Sequence, residues 1–247
     1  MKTLSTLLII SISLLTGLNT SKSTLANALE GAWEIETVNG EKLAHRGAML
    51  IQAPYAFYTE FDVEKKIFVG SQGGMIEIMG NKMSLKMEFD TWNPERIGQE
   101  YEITASLKGS QVTLNFEADG EAFEMKLNRS DNGSGDLAGA WRITDRMRNG
   151  EMTAMRMGPR KTIKMITGTR FQWAAYNPDT KQFSGTGGGT VILENGKYNE
   201  HIEFFSRNPD RVGADLSFDY KVNGDKWDHS GLSSTGNLIR EIWTKQK

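Results

Sequence analysis

Apolar and polar residues alternate along most of this chain with a period of two. Tyr198, Glu200, Ile202 and Phe204 interleave with Asn199, His201 and Glu203, and residues 216–222 alternate until Asn223-Gly224-Asp225 turns the chain. Alternation of this kind places successive side chains on opposite faces of a half-buried strand, and a Gly-containing turn after it marks a hairpin. Strand-like runs recur about every 10–15 residues, and no long helical period follows the N-terminal segment. The pattern predicts an all-β chain built from antiparallel strands.

The pattern also occurs twice. Residues 80–99 read GNKMSLKMEFDTWNPERIGQ and residues 195–214 read NGKYNEHIEFFSRNPDRVGA. Leu29-Glu30-Gly31-Ala32-Trp33 returns as Leu137-Ala138-Gly139-Ala140-Trp141, Asn39-Gly40-Glu41 as Asn149-Gly150-Glu151, and Gly73-Gly74 as Gly188-Gly189. The offset is constant over much of the unit, since 198 − 83 and 209 − 94 both give 115. Self-similarity over a half-chain indicates a duplicated folding unit. Roughly eight strands per unit would close a small up-and-down barrel and remove its sheet edges. The expected organisation is an N-terminal signal peptide over 1–28, a first barrel over 29–130, a Gly-rich polar linker over 131–136 and a second barrel over 137–247.

The N-terminus has Lys2, an apolar run from Leu4 to Leu18 and a small-x-small triplet, Ala26-Asn27-Ala28. That is the layout of a cleaved secretory signal, and the run is too short for a comfortable membrane span. A secreted or periplasmic protein with no stable membrane anchor after cleavage is expected. With 247 residues and no cysteine, lipoprotein-type lipidation, disulfides, thiol catalysis and thiolate metal sites are excluded. Net charge is −2 without a basic stripe, so nucleic acid is not an expected partner.

Gly31-x-Trp33 and Gly139-x-Trp141, each on the first strand of its unit, resemble the Gly-x-Trp signature of lipocalins. The second unit, with Tyr198-x-Glu200 and Glu241-x-Trp243-x-Lys245, is similar to uncharacterised secreted bacterial lipocalin-like domains. The resemblance implies a calycin-type barrel in each half. It also implies a basic residue packed across each tryptophan, for which Arg129 and Lys245 stand at suitable places.

The duplication serves as a control for which side chains face inward. Met83, Leu85, Met87 and Phe89 form the apolar row of one strand in the first unit, with Ser84, Lys86 and Glu88 toward water. Transferred by the offset, Tyr198, Glu200, Ile202 and Phe204 face the second interior, and His201 and Glu203 face water. Leu114 corresponds to His229, and Met125 to Glu241. Thus four interior positions occupied by Met83, Leu85, Leu114 and Met125 in one unit carry Tyr198, Glu200, His229 and Glu241 in the other.

Three functional readings follow. In the first, the initial barrel is apolar-filled and structural, while the second binds a small hydrophobic or amphipathic molecule. Tyr198, Glu200, His229 and Glu241 would hold its polar end, and Trp173, Trp227 and Trp243 its apolar body. In the second, an enzyme uses Glu200, His229, Glu241 and Tyr198 for general acid–base chemistry, although no nucleophile motif accompanies them. In the third, the protein is a structural or adhesion module acting through its outer surface, where Trp92 is expected at a loop. No spacing for a metal site or a cofactor loop is present: Gly185-Thr-Gly-Gly-Gly189 lacks the Lys and helix of a phosphate loop and reads as a bulge or close packing. Asn93-Pro94-Glu95-Arg96 and Asn208-Pro209-Asp210-Arg211 read as shaped turns tied down by arginine. Met152, Met155 and Met157, ringed by Arg146, Arg148, Arg156, Arg160 and Lys161, read as an apolar lid in a basic surround.

Overall fold

The computed structural model describes residues 24–247, so the signal peptide read over 1–28 lies mostly outside the described residues. A short helix, α1 (Thr24–Leu29), precedes eight strands: β1 (Gly31–Val38), β2 (Arg46–Gln52), β3 (Tyr55–Asp62), β4 (Ile67–Met79), β5 (Lys82–Asp90), β6 (Glu100–Lys108), β7 (Gln111–Ala118) and β8 (Glu121–Arg129). The second unit comprises β9 (Gly139–Arg148), β10 (Glu151–Ala154), β11 (Lys161–Ile166), β12 (Arg170–Asn177), β13 (Gln182–Glu194), β14 (Lys197–Phe205), β15 (Asp215–Asn223), β16 (Lys226–Leu232) and β17 (Leu238–Lys245). β1 pairs with β8, and β9 with β17, so each unit closes into an eight-strand antiparallel barrel, with β10 an added flap on β9. The repeated Asn-Gly turns have positive φ at both residues, 52° and 81° at Asn39-Gly40 and 51° and 84° at Asn149-Gly150. That conformation is one Asn and Gly tolerate and one that matches strand twist.

One end of each barrel is closed in the same way. Trp33 Nε1 donates to the Leu29 carbonyl at 2.9 Å, and Trp141 Nε1 to the Leu137 carbonyl at 2.8 Å. The Arg129 guanidinium lies 4.0 Å from the Trp33 ring centre and Lys245 Nζ lies 5.5 Å from that of Trp141, the basic residue over tryptophan that the resemblance implied. Arg129 also donates to the carbonyls of Glu30 and Ala28, which ties α1 across the base of the first barrel while Leu25 and Leu29 pack into its core.

Two bulges decide how the barrels meet. The β4–β5 register shifts between Gly73 and Gly74, and the β13–β14 register between Gly188 and Gly189. A Cβ at Gly74 would stand 1.9 Å from the Lys86 carbonyl oxygen, and one at Gly189 1.9 Å from that of His201, so only glycine fits. The extra residues are Glu88 and Glu203. Beyond each bulge the alternation inverts, which corrects the expectation that Phe89 and Phe204 point into the barrels and that Glu88 and Glu203 face water. All four are buried between the barrels.

There they form a pseudo-two-fold interface. Phe89 packs on Tyr176 and Phe183, and Phe204 on the equivalent Phe61 and Phe68. Lys161 Nζ donates to Glu88 at 2.6 Å, and the equivalent Arg46 donates to Glu203 at 3.2 Å. A residue and its partner exchange roles across such an axis, as in a symmetric dimer. Between the two ion pairs Gln172 accepts from Thr59 at 2.9 Å and donates to Ser71 at 3.0 Å and Thr186 at 3.1 Å. Within 131–136, Asp131 clasps both units: it accepts from Ala32 N of the first at 3.1 Å and from Thr167 and Thr169 side chains of the second at 2.6 and 2.8 Å. This stretch is fastened rather than free.

Glu88→Ala should lower unfolding stability by about 3–5 kcal/mol, because it leaves Lys161 uncompensated in a nearly dry interface and removes the acceptor of Tyr176. Adding Lys161→Met should recover most of the loss, as read by denaturant unfolding.

Candidate functional site

The two interiors differ in what fills them. In the first barrel a cavity of about 320 Å³ opens at the end opposite α1. Its depth is lined by Met49, Met83, Leu85, Met87, Ile103 and Met125, an apolar wall rich in adaptable thioethers. Tyr58, Glu60, Trp92, Arg96 and Tyr101 form the rim. The expectation of an apolar-filled first barrel is therefore corrected. The side chains at its inward positions are too short to meet at the centre.

The second barrel carries rings at the same places. Ala56 is replaced by Phe171, Met83 by Tyr198, Ile103 by Phe218 and Leu114 by His229. Their rings interlock: Tyr198 lies 6.3 Å from Phe171, 6.1 Å from Phe218, 5.2 Å from Trp227 and 5.8 Å from His229. Trp227 stacks on Trp243 at 5.9 Å. Trp173 lies at the edge of this nest, half-buried, packed against the same core and edge-on to Phe205.

Lys164, absent from the sequence-derived set, organises the nest. It occupies the Met49 position and is buried, and its Nζ donates to Glu200 at 2.6 Å. The ammonium is 5.1–5.5 Å from the ring centres of Phe171, Tyr198, Trp227 and Trp243. An alkylammonium held by rings and a carboxylate is a cation–π cage whose occupant is the chain's own lysine. The offset that relates Met83 to Tyr198 also relates Met49 to Lys164, so the signal was available in the sequence.

His229 and Glu241 face each other on β16 and β17, as Leu114 and Met125 do on β7 and β8, which places the last strand at the offset expected. His229 Nδ1 lies 3.7 Å from Glu241 Oε2, too far for a hydrogen bond. Burial lowers the His229 pKa, and although Glu241 opposes this, the Lys164 charge reinforces it, so the imidazole is held neutral. For Glu241, burial pushes upward, but its charged neighbours Arg146 and Lys164 oppose this and hold the carboxyl below its usual range. With His229 neutral, Arg146 is the main cation responsible, donating to Glu241 at 3.1 and 2.6 Å from the barrel mouth. Trp243 Nε1 adds a bond at 3.1 Å. Burial and Glu200 raise the Tyr198 pKa well above its ordinary value. The Tyr198 hydroxyl, Trp227 Nε1 and both His229 nitrogens have no hydrogen-bond partner among the described residues. Tyr198, Glu200, His229 and Glu241 are thus brought together around Lys164, with His229 and Glu241 3.7 Å apart.

The remaining motifs resolve as follows. Pro94–Arg96 and Pro209–Arg211 are single 3-10 turns, with Asn93 and Asn208 accepting from the backbone two residues on. Arg96 bonds Asp119 at 2.5 Å. Trp92 lies over Gly70, stacked 5.6 Å from Tyr58, as part of the first cavity's rim. The basic surround of the methionines is dispersed, because Arg146 turns to Glu241 and Lys161 to Glu88.

Lys164→Met should destabilise the fold by about 3–5 kcal/mol through the unpaired Glu200, and Lys164→Met with Glu200→Leu should restore most of it. The pH dependence should separate two groups in denaturant melts. Below the ordinary imidazole value of 6.5 the unfolded chain takes up a proton that folded His229 refuses, so stability falls with pH there, and His229→Leu loses that part of the slope. Ionised Glu241 contributes stability above 4.5 that is lost as pH falls below that value.

No family model matches the chain, and no curated protein matches it by sequence. In structure it is similar to an uncharacterized protein of Saccharomyces cerevisiae, YLR301w, at 11% identity and a TM-score of 0.50, over 88% of this chain and 100% of that one. A likeness at that identity speaks to fold alone. Two closed eight-strand antiparallel barrels in tandem fit a calycin-like fold in general.

Proposed function

We propose that this protein is an exported, lipocalin-like binder of a small hydrophobic or amphipathic molecule, and that the molecule occupies the first barrel. The observation that carries the reading is the contrast between units: the first encloses an apolar cavity of about 320 Å³ with a polar rim, where the second is packed by its own lysine and rings. That volume is at the small end of ligand pockets, and an apolar wall with a few polar groups at one end is their usual composition. The tryptophan–cation contact at each barrel base supports the lipocalin likeness, and the leader-like N-terminus supports export.

A second reading keeps Tyr198, Glu200, His229, Glu241, Trp173, Trp227 and Trp243 as the ligand-binding set. The unpartnered Tyr198, Trp227 and His229 atoms favour a small polar guest there. It requires Lys164 to yield its place.

Native mass spectrometry and thermal shift on two variants separate the readings. Ala56→Phe with Met83→Tyr gives the first cavity the second barrel's side chains. It should abolish uptake of a neutral apolar probe such as decanol and the associated stabilisation, about 2.7 kcal/mol at a hundredfold excess over Kd. Lys164→Met with Glu200→Leu should leave uptake unchanged. The reverse pattern would move the site to the second barrel.

A further inference from the structure

The rim of the first cavity is chemically specific. Glu60 faces the cavity from β3, and its only bonded partner among the described residues is the Tyr58 hydroxyl on the same strand. It forms no ion pair among the described residues. Tyr58 and Trp92 are stacked 5.6 Å apart with an interplanar angle of 27°, a paired aromatic wall that lines the rim together with the carboxylate. The cation at the rim, Arg96, is already engaged by Asp119 at 2.5 Å and Asp90 at 3.5 Å. An acidic groove adjoins the mouth and shares Tyr101, Phe116 and Phe123 with the cavity, and Glu100, Glu102, Glu117 and Glu124 line it. Lys82 and Lys126 offset Glu102 and Glu124 only. At the positions of Glu60 and Trp92 the second barrel has Ala175 and Arg207, so the anionic, aromatic rim belongs to the unit with the cavity.

From this geometry we infer that the first barrel selects amphiphiles with a cationic nitrogen head. The head sits against Glu60, Tyr58 and Trp92, and the apolar tail runs into the methionine-lined depth. The inference rests on the cavity being the binding site. Rings and a carboxylate stabilise an alkylammonium while it loses water, and the acidic groove raises the local concentration of cations at the mouth. An anionic head would meet Glu60 unscreened. A neutral head would forgo the charge term.

The test uses three probes of equal chain length on the full-length chain without its leader: decyltrimethylammonium, decanol and decanoate. Binding is read below their micellar concentrations by tryptophan fluorescence and native mass spectrometry. The ammonium should bind about tenfold or more tighter than either other probe, and Glu60→Gln, which keeps the Tyr58 bond, should remove that advantage without changing decanol. Decanol or decanoate binding as tightly as the ammonium, or an ammonium affinity indifferent to Glu60→Gln, would overturn the cationic preference while leaving the cavity as the site. If none of the three binds, or if all bind equally to Ala56→Phe with Met83→Tyr, the cavity reading falls as well.

Discussion

The close approach of a neighbouring carbonyl to Gly74 and to Gly189 is the constraint on which the arrangement of both barrels depends. At each place the strand must admit one extra residue, and the backbone is so near that no side chain fits. The bulge turns the end of β5, and likewise of β14, through half a period. A glutamate and a phenylalanine that would otherwise divide between interior and solvent both go to the outer wall. There the two walls meet. Without the glycines each barrel would still alternate, but Phe89 and Phe204 would have no route to the other unit, and the ion pairs of Glu88 and Glu203 could not form.

The interface combines an apolar contribution with a polar one that gives it register. Phe57, Phe89, Ile163 and Tyr176 lose their water in a common cluster, which is the main favourable term. The ion pairs at its edges are weak as sources of net stability, but each is costly to half-remove, so they disfavour a slipped or rotated docking. Duplication explains why the set is self-complementary. A wall that packs on its own copy remains compatible when the copy is joined covalently.

Once docked, the interiors were free to diverge. Replacing Ala56 by Phe171 and Met83 by Tyr198 fills a barrel of this size, and Lys164 with Glu200 then satisfies charge inside it. Arg146 and Glu241 balance a second pair at the mouth, leaving His229 neutral in an environment too dry for its cation. The first unit retained shorter side chains, and its space is closed at the base by α1 and Trp33 and open toward Trp92 and Glu60.

The sequence by itself determined the duplication, the all-β character and the facing of most interior positions. Each follows from local periodicity and from a repeat whose offset can be read directly. Thus inward Leu114 and Met125 implied inward His229 and Glu241, and the resemblance carried by the paired Gly-x-Trp motifs implied Arg129 and Lys245 across the tryptophans. Only the tertiary structure decided which barrel holds a cavity. Void volume depends on how side chains from eight strands meet at the centre, and no single strand carries that sum. Polar residues at inward positions read as a pocket, yet Lys164, reaching in from another strand, closes it. The fate of Glu88 and Glu203 was likewise beyond alternation: an exposed carboxylate and an interface carboxylate have the same pattern until a second surface arrives to cover one of them.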